Sequence, residues 1–173
     1  AWLSKNYWSD DSTPSLVTVI LSRRVDNGIL PIFLLVDRTC LGVKNAFAGE
    51  MVSEDGADWA SGNDPSDTPL VECERLEAQS VVYHAIDYAK SLGFDATSEL
   101  DLKLLGERPE QLRDTKWAKP SRPYYVSGPR DDVPRVLAQL NSVVGVGNYD
   151  FVVGSPFQVL RKQDVEDSVD DLF

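Results

Sequence analysis

The chain has 173 residues, of which 42% are apolar, and its 17 basic and 28 acidic residues give it a net charge of -11. This length supports one core and favours one compact domain. The charge argues against a protein dedicated to double-stranded DNA, because phosphate binding needs a basic surface. No apolar run is long enough to cross a membrane and no signal peptide is evident, so the sequence predicts a cytoplasmic protein.

The first predicted elements are two strands, over residues 16–24 and 29–36. They are joined by Val25-Asp26-Asn27-Gly28, in which Asn-Gly is a common hairpin signal. The second strand is apolar on both faces, which is typical of an inner strand covered on both sides. Pro31 conflicts with that placement because proline has no N–H to donate. A turn followed by a short helix is predicted over residues 39–47.

Residues 50–69 are acidic and poor in apolar side chains, which predicts a loop. A long helix is predicted over residues 72–92, because apolar residues recur at helical spacing, and Gly93 is expected to cap it in the left-handed conformation. A short helix over residues 98–106 is expected to follow. Residues 161–173 form an acidic tail.

Residues 124–153 predict a strand, a helix and a second strand, a unit of βαβ size. Asp131 or Asp132 is positioned to cap the helix, and Pro134 fits its first turn. Gly145 and Gly147 are expected to end the helix. The two carboxylates at its N-terminus would repel a phosphate, although helix N-termini often bind anions.

Three runs of this chain resemble a family of uncharacterised bacterial proteins. The runs in the family read VDxxCLGVKxAF, YAxxLGF and YxxGPxDD, and here they occupy residues 36–47, 88–94 and 125–132. The resemblance implies that the three runs belong to one domain. It carries no activity over to this chain.

These elements together predict an α/β or α+β fold in a single domain over residues 1–160. The expected architecture is a mixed sheet with an initial β-hairpin and a late βαβ-like unit, covered by two main helices. Cys40 and Cys73 form no CxxC pair, so both are expected to be buried thiols.

Few residues are candidates for catalysis. His84 is the only histidine, and on the long helix it shares a polar stripe with Glu77, Ser80, Asp87 and Ser91. The carboxylate of Asp87 would orient the imidazole as a general base or a metal ligand. The same stripe is also typical of a solvated helix face, which is the favoured interpretation.

Carboxylates offer the alternative. Asp37 ends a predicted strand, and Glu72, Glu74 or Asp87 would complete a Mg²⁺ or Mn²⁺ site of the kind found in metal-dependent nucleases and hydrolases. In the favoured interpretation Asp37 instead accepts hydrogen bonds from backbone N–H groups of the turn that follows, and no cofactor is expected.

Basic and aromatic residues interleave between residues 113 and 135, a pattern that also occurs on single-stranded nucleic-acid platforms. A solvated loop is the favoured interpretation of this stretch. A Leu-Phe pair ends the acidic tail and resembles short docking motifs. The candidate interaction residues are Arg113, Lys116, Trp117, Lys119, Arg122, Leu172 and Phe173.

The poverty of catalytic residues and the acidic surface favour a non-enzymatic protein-interaction subunit of a larger assembly or longer chain, with a protein as its partner. The first alternative is a metal-dependent nuclease or hydrolase that uses Asp37 with helix carboxylates. A weaker alternative is contact with single-stranded nucleic acid through residues 113–135. The sequence does not determine the oligomeric state.

Overall fold

The computed structural model describes residues 1–4, 16–26, 28–50, 52, 70–95, 105–115 and 120–153. Within these ranges the chain forms strands β1 (Trp2–Ser4), β2 (Leu16–Val25), β3 (Gly28–Asp37), β4 (Gly42–Ala48), β5 (Leu70–Glu72), β6 (Tyr124–Val126) and β7 (Asp150–Val152), and helices α1 (Arg75–Ser91) and α2 (Val133–Val143). Backbone contacts divide the chain into unit 1, Ala1–Pro120, and unit 2, Ser121–Phe173. The single domain over residues 1–160 stays a prediction.

Unit 1 is built on a five-stranded sheet in the order β4-β3-β2-β1-β5, in which every pair of neighbours is antiparallel. The predicted hairpin is confirmed, because β2 pairs with β3 from Leu16 opposite Asp37 to Val25 opposite Gly28. Strand β2 extends one residue further into the turn than the predicted 16–24, and β3 extends one residue further at each end than the predicted 29–36.

The two faces of this sheet carry different rows of side chains. Leu3, Val19 and Leu34 lie opposite one another on β1, β2 and β3 and are buried in the core beneath α1. The neighbouring row, on the other face, runs through Trp2, Ile20, Phe33 and Phe47, and the last two rings stack with centroids 5.0 Å apart. Strand β3 is therefore apolar on both faces, as the sequence predicts.

Pro31 is accommodated inside the sheet because its backbone faces the end of β4. Its carbonyl accepts the N–H of Gly49, one residue beyond the last residue of β4. In an extended strand the N and O of one residue point to the same edge, so the missing N–H removes no bond to β2.

The short helix predicted over residues 39–47 is wrong. Residues 38–41 form the expected turn, but residues 42–48 form β4, which pairs with β3. The pairing skips Lys44, since Asn45 lies opposite Leu35 and Val43 opposite Val36. This β-bulge breaks the alternation of apolar and polar residues by which a strand is normally recognised.

Helix α1 begins and ends close to its predicted bounds of 72 and 92. Gly93 has a φ of +79°, its N–H donates to the carbonyl of Lys90, and the N–H of Phe94 donates to the carbonyl of Ala89. This pair of bonds is a Schellman motif, which confirms the predicted cap. Phe94 packs against the core of unit 1.

Unit 2 contains the predicted strand, helix and strand, and β6 pairs with β7 in parallel. Asp132 caps α2 by accepting the N–H of Arg135, at 3.2 Å, and Pro134 lies in the first turn. Asp131 has a different role, because its Oδ2 accepts the N–H of Gly128 and the hydroxyl of the buried Tyr125.

The α/β fold class, with its initial hairpin, late βαβ-like unit and two helices, is confirmed. The antiparallel and parallel strands lie in two sheets instead of one mixed sheet. Most of the acidic loop over 50–69, the start of the short helix over 98–106 and the tail over 161–173 lie outside the described residues. No helix in the described ranges is long and apolar enough to span a membrane.

Candidate functional site

Asp37, the strongest catalytic and metal candidate, closes the turn between β3 and β4. Its Oδ1 accepts hydrogen bonds from the N–H of Thr39 at 2.9 Å, from the Thr39 hydroxyl at 3.1 Å and from the N–H of Cys40 at 3.0 Å. Asp37 therefore accepts hydrogen bonds from the turn that follows it, as in the favoured interpretation of the sequence.

The turn is buried, which is unusual for a connection between strands. Asp37, Arg38, Thr39 and Cys40 expose between 0% and 4% of their surface. The second carboxylate oxygen of Asp37 has no hydrogen-bond partner among the described residues. Polar groups in such a place are costly unless they are bonded, so the bonds at Oδ1 are essential to the turn.

Burial dominates the electrostatics of this turn. It raises the pKa of Asp37 above the ordinary 3.8, although hydrogen bonds from the turn and the charge of Lys44 act in the opposite direction. Burial, with smaller contributions from Cys40 and Asp37, raises the pKa of Tyr88 on α1 to about 12.

The second candidate group, the polar stripe of α1, is covered by residues 105–115, which we call the strap. Ser80 is fully buried and its hydroxyl accepts the N–H of Arg113 at 2.9 Å. His84 Nε2 lies 3.2 Å from the carbonyl of Arg113, where it is positioned to donate a hydrogen bond. The favoured interpretation of this stripe as a solvated face is therefore wrong at Ser80, whereas at His84, which is partly exposed, it stays a prediction.

Two arginines of the strap also pair with carboxylates. Arg108 forms a two-pronged ion pair with Asp87, at 2.9 and 2.6 Å, and its guanidinium carbon lies 5.0 Å from the centre of the Tyr83 ring. Arg113 pairs with Glu74 at 2.5 Å. The hydrogen bonds from Arg108 hold the pKa of Asp87 below its usual value.

The predicted metal ligands occupy separate places. Asp37 is in its turn, Glu72 is exposed on β5, and Glu74 and Asp87 are engaged by the strap. Among the described residues no three His, Cys, Asp or Glu side chains are grouped so that they could hold a metal ion.

The basic candidates that the structure describes are both paired within their own units. Arg113 binds Glu74 in unit 1, whereas Arg122 in unit 2 pairs with Asp150 at 2.8 Å and donates to the carbonyl of Tyr149. The remaining interaction candidates, Lys116, Trp117, Lys119, Leu172 and Phe173, lie outside the described residues.

Strand β7 carries an apolar ridge that the sequence analysis did not single out. Tyr149, Phe151 and Val153 alternate along one side, and Phe151 and Val153 are 50% and 44% exposed. Asp150 and Val152 make the backbone bonds toward β6, so the N–H and C=O of Phe151 point to the opposite edge. In the described chain β7 pairs with β6 alone.

Comparison with known proteins adds no relative. No protein-family model, curated protein or solved structure matches the chain. The resemblance of the three sequence runs to a bacterial family therefore stays a prediction.

Of the two features that were missed, only the apolar ridge had a signal in the sequence, and that signal was weak. Apolar residues at every second position from Tyr149 to Val153 indicate one exposed or buried face of a strand, but the pattern does not say which. Arg108 and Arg113 have a spacing that matches no regular element, so their pairing with α1 had no periodic signal.

Proposed function

We propose that the protein is a non-enzymatic interaction subunit, cytoplasmic as predicted, that binds a protein partner along the outer edge of β7. The observation that carries this proposal is the exposed ridge of Phe151 and Val153 beside an edge at which the N–H and C=O of Phe151 point outward. An added strand would bond to this backbone and cover the ridge, which is a common mode of peptide recognition.

The exposed apolar side chains of unit 2 support the same proposal. Five of the seven large apolar side chains that are exposed in the described ranges, Tyr124, Val143, Val146, Phe151 and Val153, belong to unit 2. Parallel strands are usually covered on both faces, so a parallel pair with exposed apolar residues is typical of a surface that another chain covers.

The test is affinity purification of the intact protein, followed by identification of the proteins bound to it. The informative variant is Phe151→Ser, which removes the centre of the ridge. The control is Val146→Ser, because Val146 is 83% exposed but lies in the turn after α2. We expect Phe151→Ser to lose a partner that the parent protein and Val146→Ser both retain.

Recovery of the same proteins by all three would contradict the proposal. A thermal melt of each variant checks that Phe151→Ser remains folded, and size-exclusion chromatography distinguishes a foreign partner from a second copy of the chain.

The metal-dependent nuclease or hydrolase stays the first alternative, and contact with single-stranded nucleic acid stays the weaker one. No contact among the described residues favours either over the interaction subunit, because Asp37 Oδ1 is occupied by its own turn and Arg113 and Arg122 are paired with carboxylates.

A further inference from the structure

After Leu105, which is helical, the strap crosses α1 as an irregular segment that is held mainly through its backbone. Gln79 Nε2 donates to the carbonyl of Leu105 at 2.7 Å, and Arg75 donates to the same carbonyl. Ser80 and His84 bond the N–H and the carbonyl of Arg113. Side chains of a helix thus bond both ends of the segment, in a way that does not depend on the side chains of the segment itself.

Three features fit the strap closely to α1. Leu105 is fully buried in the core of unit 1. Gly106, with a φ of +78°, passes so close to α1 that a Cβ there would lie 2.8 Å from Nη2 of Arg75. Arg108 and Arg113 reach Asp87 and Glu74, so a buried leucine is followed along α1 by two arginines that are paired with carboxylates.

Leu105 anchors the strap in the core, but the rest of the strap is only lightly held. Six of its eleven residues are exposed, and only Leu105 and Leu112 add apolar contacts with the core. Its own Glu107, Glu110 and Asp114 are exposed acids on a chain with a net charge of -11. Few buried apolar contacts and exposed ion pairs are typical of segments that open locally.

We propose that the groove of α1 formed by Glu74, Arg75, Gln79, Ser80, His84 and Asp87 is a peptide-binding site, and that the strap occupies it as an internal competitor. Its partner is an extended protein segment with a leucine and two arginines spaced as Leu105, Arg108 and Arg113 are, and without the acids of the strap. This site lies in unit 1 and does not depend on the ridge of β7.

The test uses a fluorescent peptide with the sequence of residues 105–115, in which Glu107→Gln, Glu110→Gln and Asp114→Asn remove the acids. The peptide is titrated with the intact parent protein and with Arg108→Ala. That substitution weakens the strap in the intact protein but leaves the groove unchanged. Hydrogen exchange of the strap amides measures how often the strap opens.

We expect Arg108→Ala to accelerate strap exchange on the order of tenfold, since it removes one exposed ion pair and one cation–π contact. The peptide should then bind tighter by the same factor, because its apparent affinity is proportional to the fraction of open molecules. Arg122→Ala, which breaks an ion pair in unit 2, is the control and should change neither quantity.

A second substitution tests the groove directly. In the Arg108→Ala background the strap no longer uses Asp87, so Asp87→Asn should weaken peptide binding several-fold without changing strap exchange. Failure of the peptide to bind Arg108→Ala at millimolar concentration would overturn the proposal, as would faster strap exchange with unchanged affinity. If Arg108→Ala does not fold, Arg108→Lys serves as the weakened strap, because lysine cannot make the two-pronged pair.

Discussion

Asp37 and Asp87 both organise a segment that has no regular structure, but they do so in opposite surroundings. Asp37 is 1% exposed and holds a four-residue turn through bonds to its own backbone neighbours. Asp87 has a side chain that is 44% exposed and holds the strap through an arginine that is 21 residues away in the chain. Their pKa values shift in opposite directions, since burial acts on Asp37 and Arg108 on Asp87.

The hydrogen bonds of Asp37 are required by the fold, whereas the strength of the Asp87–Arg108 ion pair depends on the solution conditions. The turn donors near Asp37 have no access to water, so loss of their acceptor leaves them unbonded. The partners of Asp87 are solvated, so water and salt compete with the ion pair. The conformation of the buried turn should therefore stay the same in the folded protein. The contacts of the strap with α1 should weaken when salt or a competing segment is added.

The largest effect is expected for Asp37→Ala. This substitution leaves the N–H groups of Thr39 and Cys40 and the Thr39 hydroxyl without their buried acceptor. We expect the free energy of unfolding, measured by urea denaturation, to fall by roughly 3 kcal/mol. Asp37→Asn keeps an acceptor at Oδ1 and is the matched control, with a loss of less than half that size. Equal losses for the two variants would contradict this account of the turn.

The pH dependence of stability should distinguish the two aspartates. Because burial raises the pKa of Asp37 above 3.8, the folded protein keeps this proton at pH values where the unfolded chain has lost it. The stability that Asp37 contributes is complete below its unfolded pKa and is lost as the pH rises through its folded pKa, by at most about 1.4 kcal/mol per pH unit. Urea denaturation across this pH range should show that loss in the parent protein and not in Asp37→Asn.

Asp87 should show the opposite sign in the same experiment. The pKa of Asp87 is lowered by Arg108, so its contribution is present above 3.8 and is lost as the pH falls through its folded pKa. The Asp87→Asn variant should therefore lose less stability on acidification than the parent. If the stability of the parent protein and of both Asn variants depended on pH in the same way, the proposed difference between the buried Asp37 and the exposed Asp87 would be wrong.

His84→Ala tests a contact between these two extremes. The imidazole is half-buried and bonds the carbonyl of Arg113, so its loss should cost about 1 kcal/mol and accelerate hydrogen exchange in the strap. Residues of the buried turn should exchange as before. A change of less than about 0.3 kcal/mol would mean that water replaces the imidazole without cost and that the polar stripe behaves as a solvated face.

The smallest effect is expected for Asp87→Asn at neutral pH. One exposed ion pair is worth about 0.5 kcal/mol, and 1 M salt should remove most of the difference from the parent. Thermal melts at low and high salt measure this. A salt-independent loss would show that Asp87 acts through packing and not through its charge.

Local signals account for the parts of the fold that the sequence predicted. The Asn27-Gly28 pair, Gly93 before Phe94, and Asp132 before Pro134 each favour one backbone conformation whatever the rest of the chain does. Strand β4 was missed because its bulge interrupts the period of two, and because only its pairing with β3 reveals it as a strand.

The candidate sites were harder to predict because they depend on contacts between distant residues. The role of Asp37 as an acceptor for turn N–H groups could be predicted, because its donors follow it directly in the sequence. The stripe of Ser80, His84 and Asp87 has the same spacing whether water or another segment covers it. Only the three-dimensional fold shows that Arg113, which is 33 residues from Ser80, lies over it.

The extra residue in β4 has a consequence for how this chain tolerates changes in length. Lys44 has no opposite residue on β3, while Val43 and Asn45 each have one. Loss of Lys44 would leave both neighbours facing as they do now, whereas loss of a paired residue would turn all following side chains of the strand to the other side. Natural variants that are one residue shorter should therefore carry their gap at Lys44, and they would also lack the cation that lowers the pKa of Asp37.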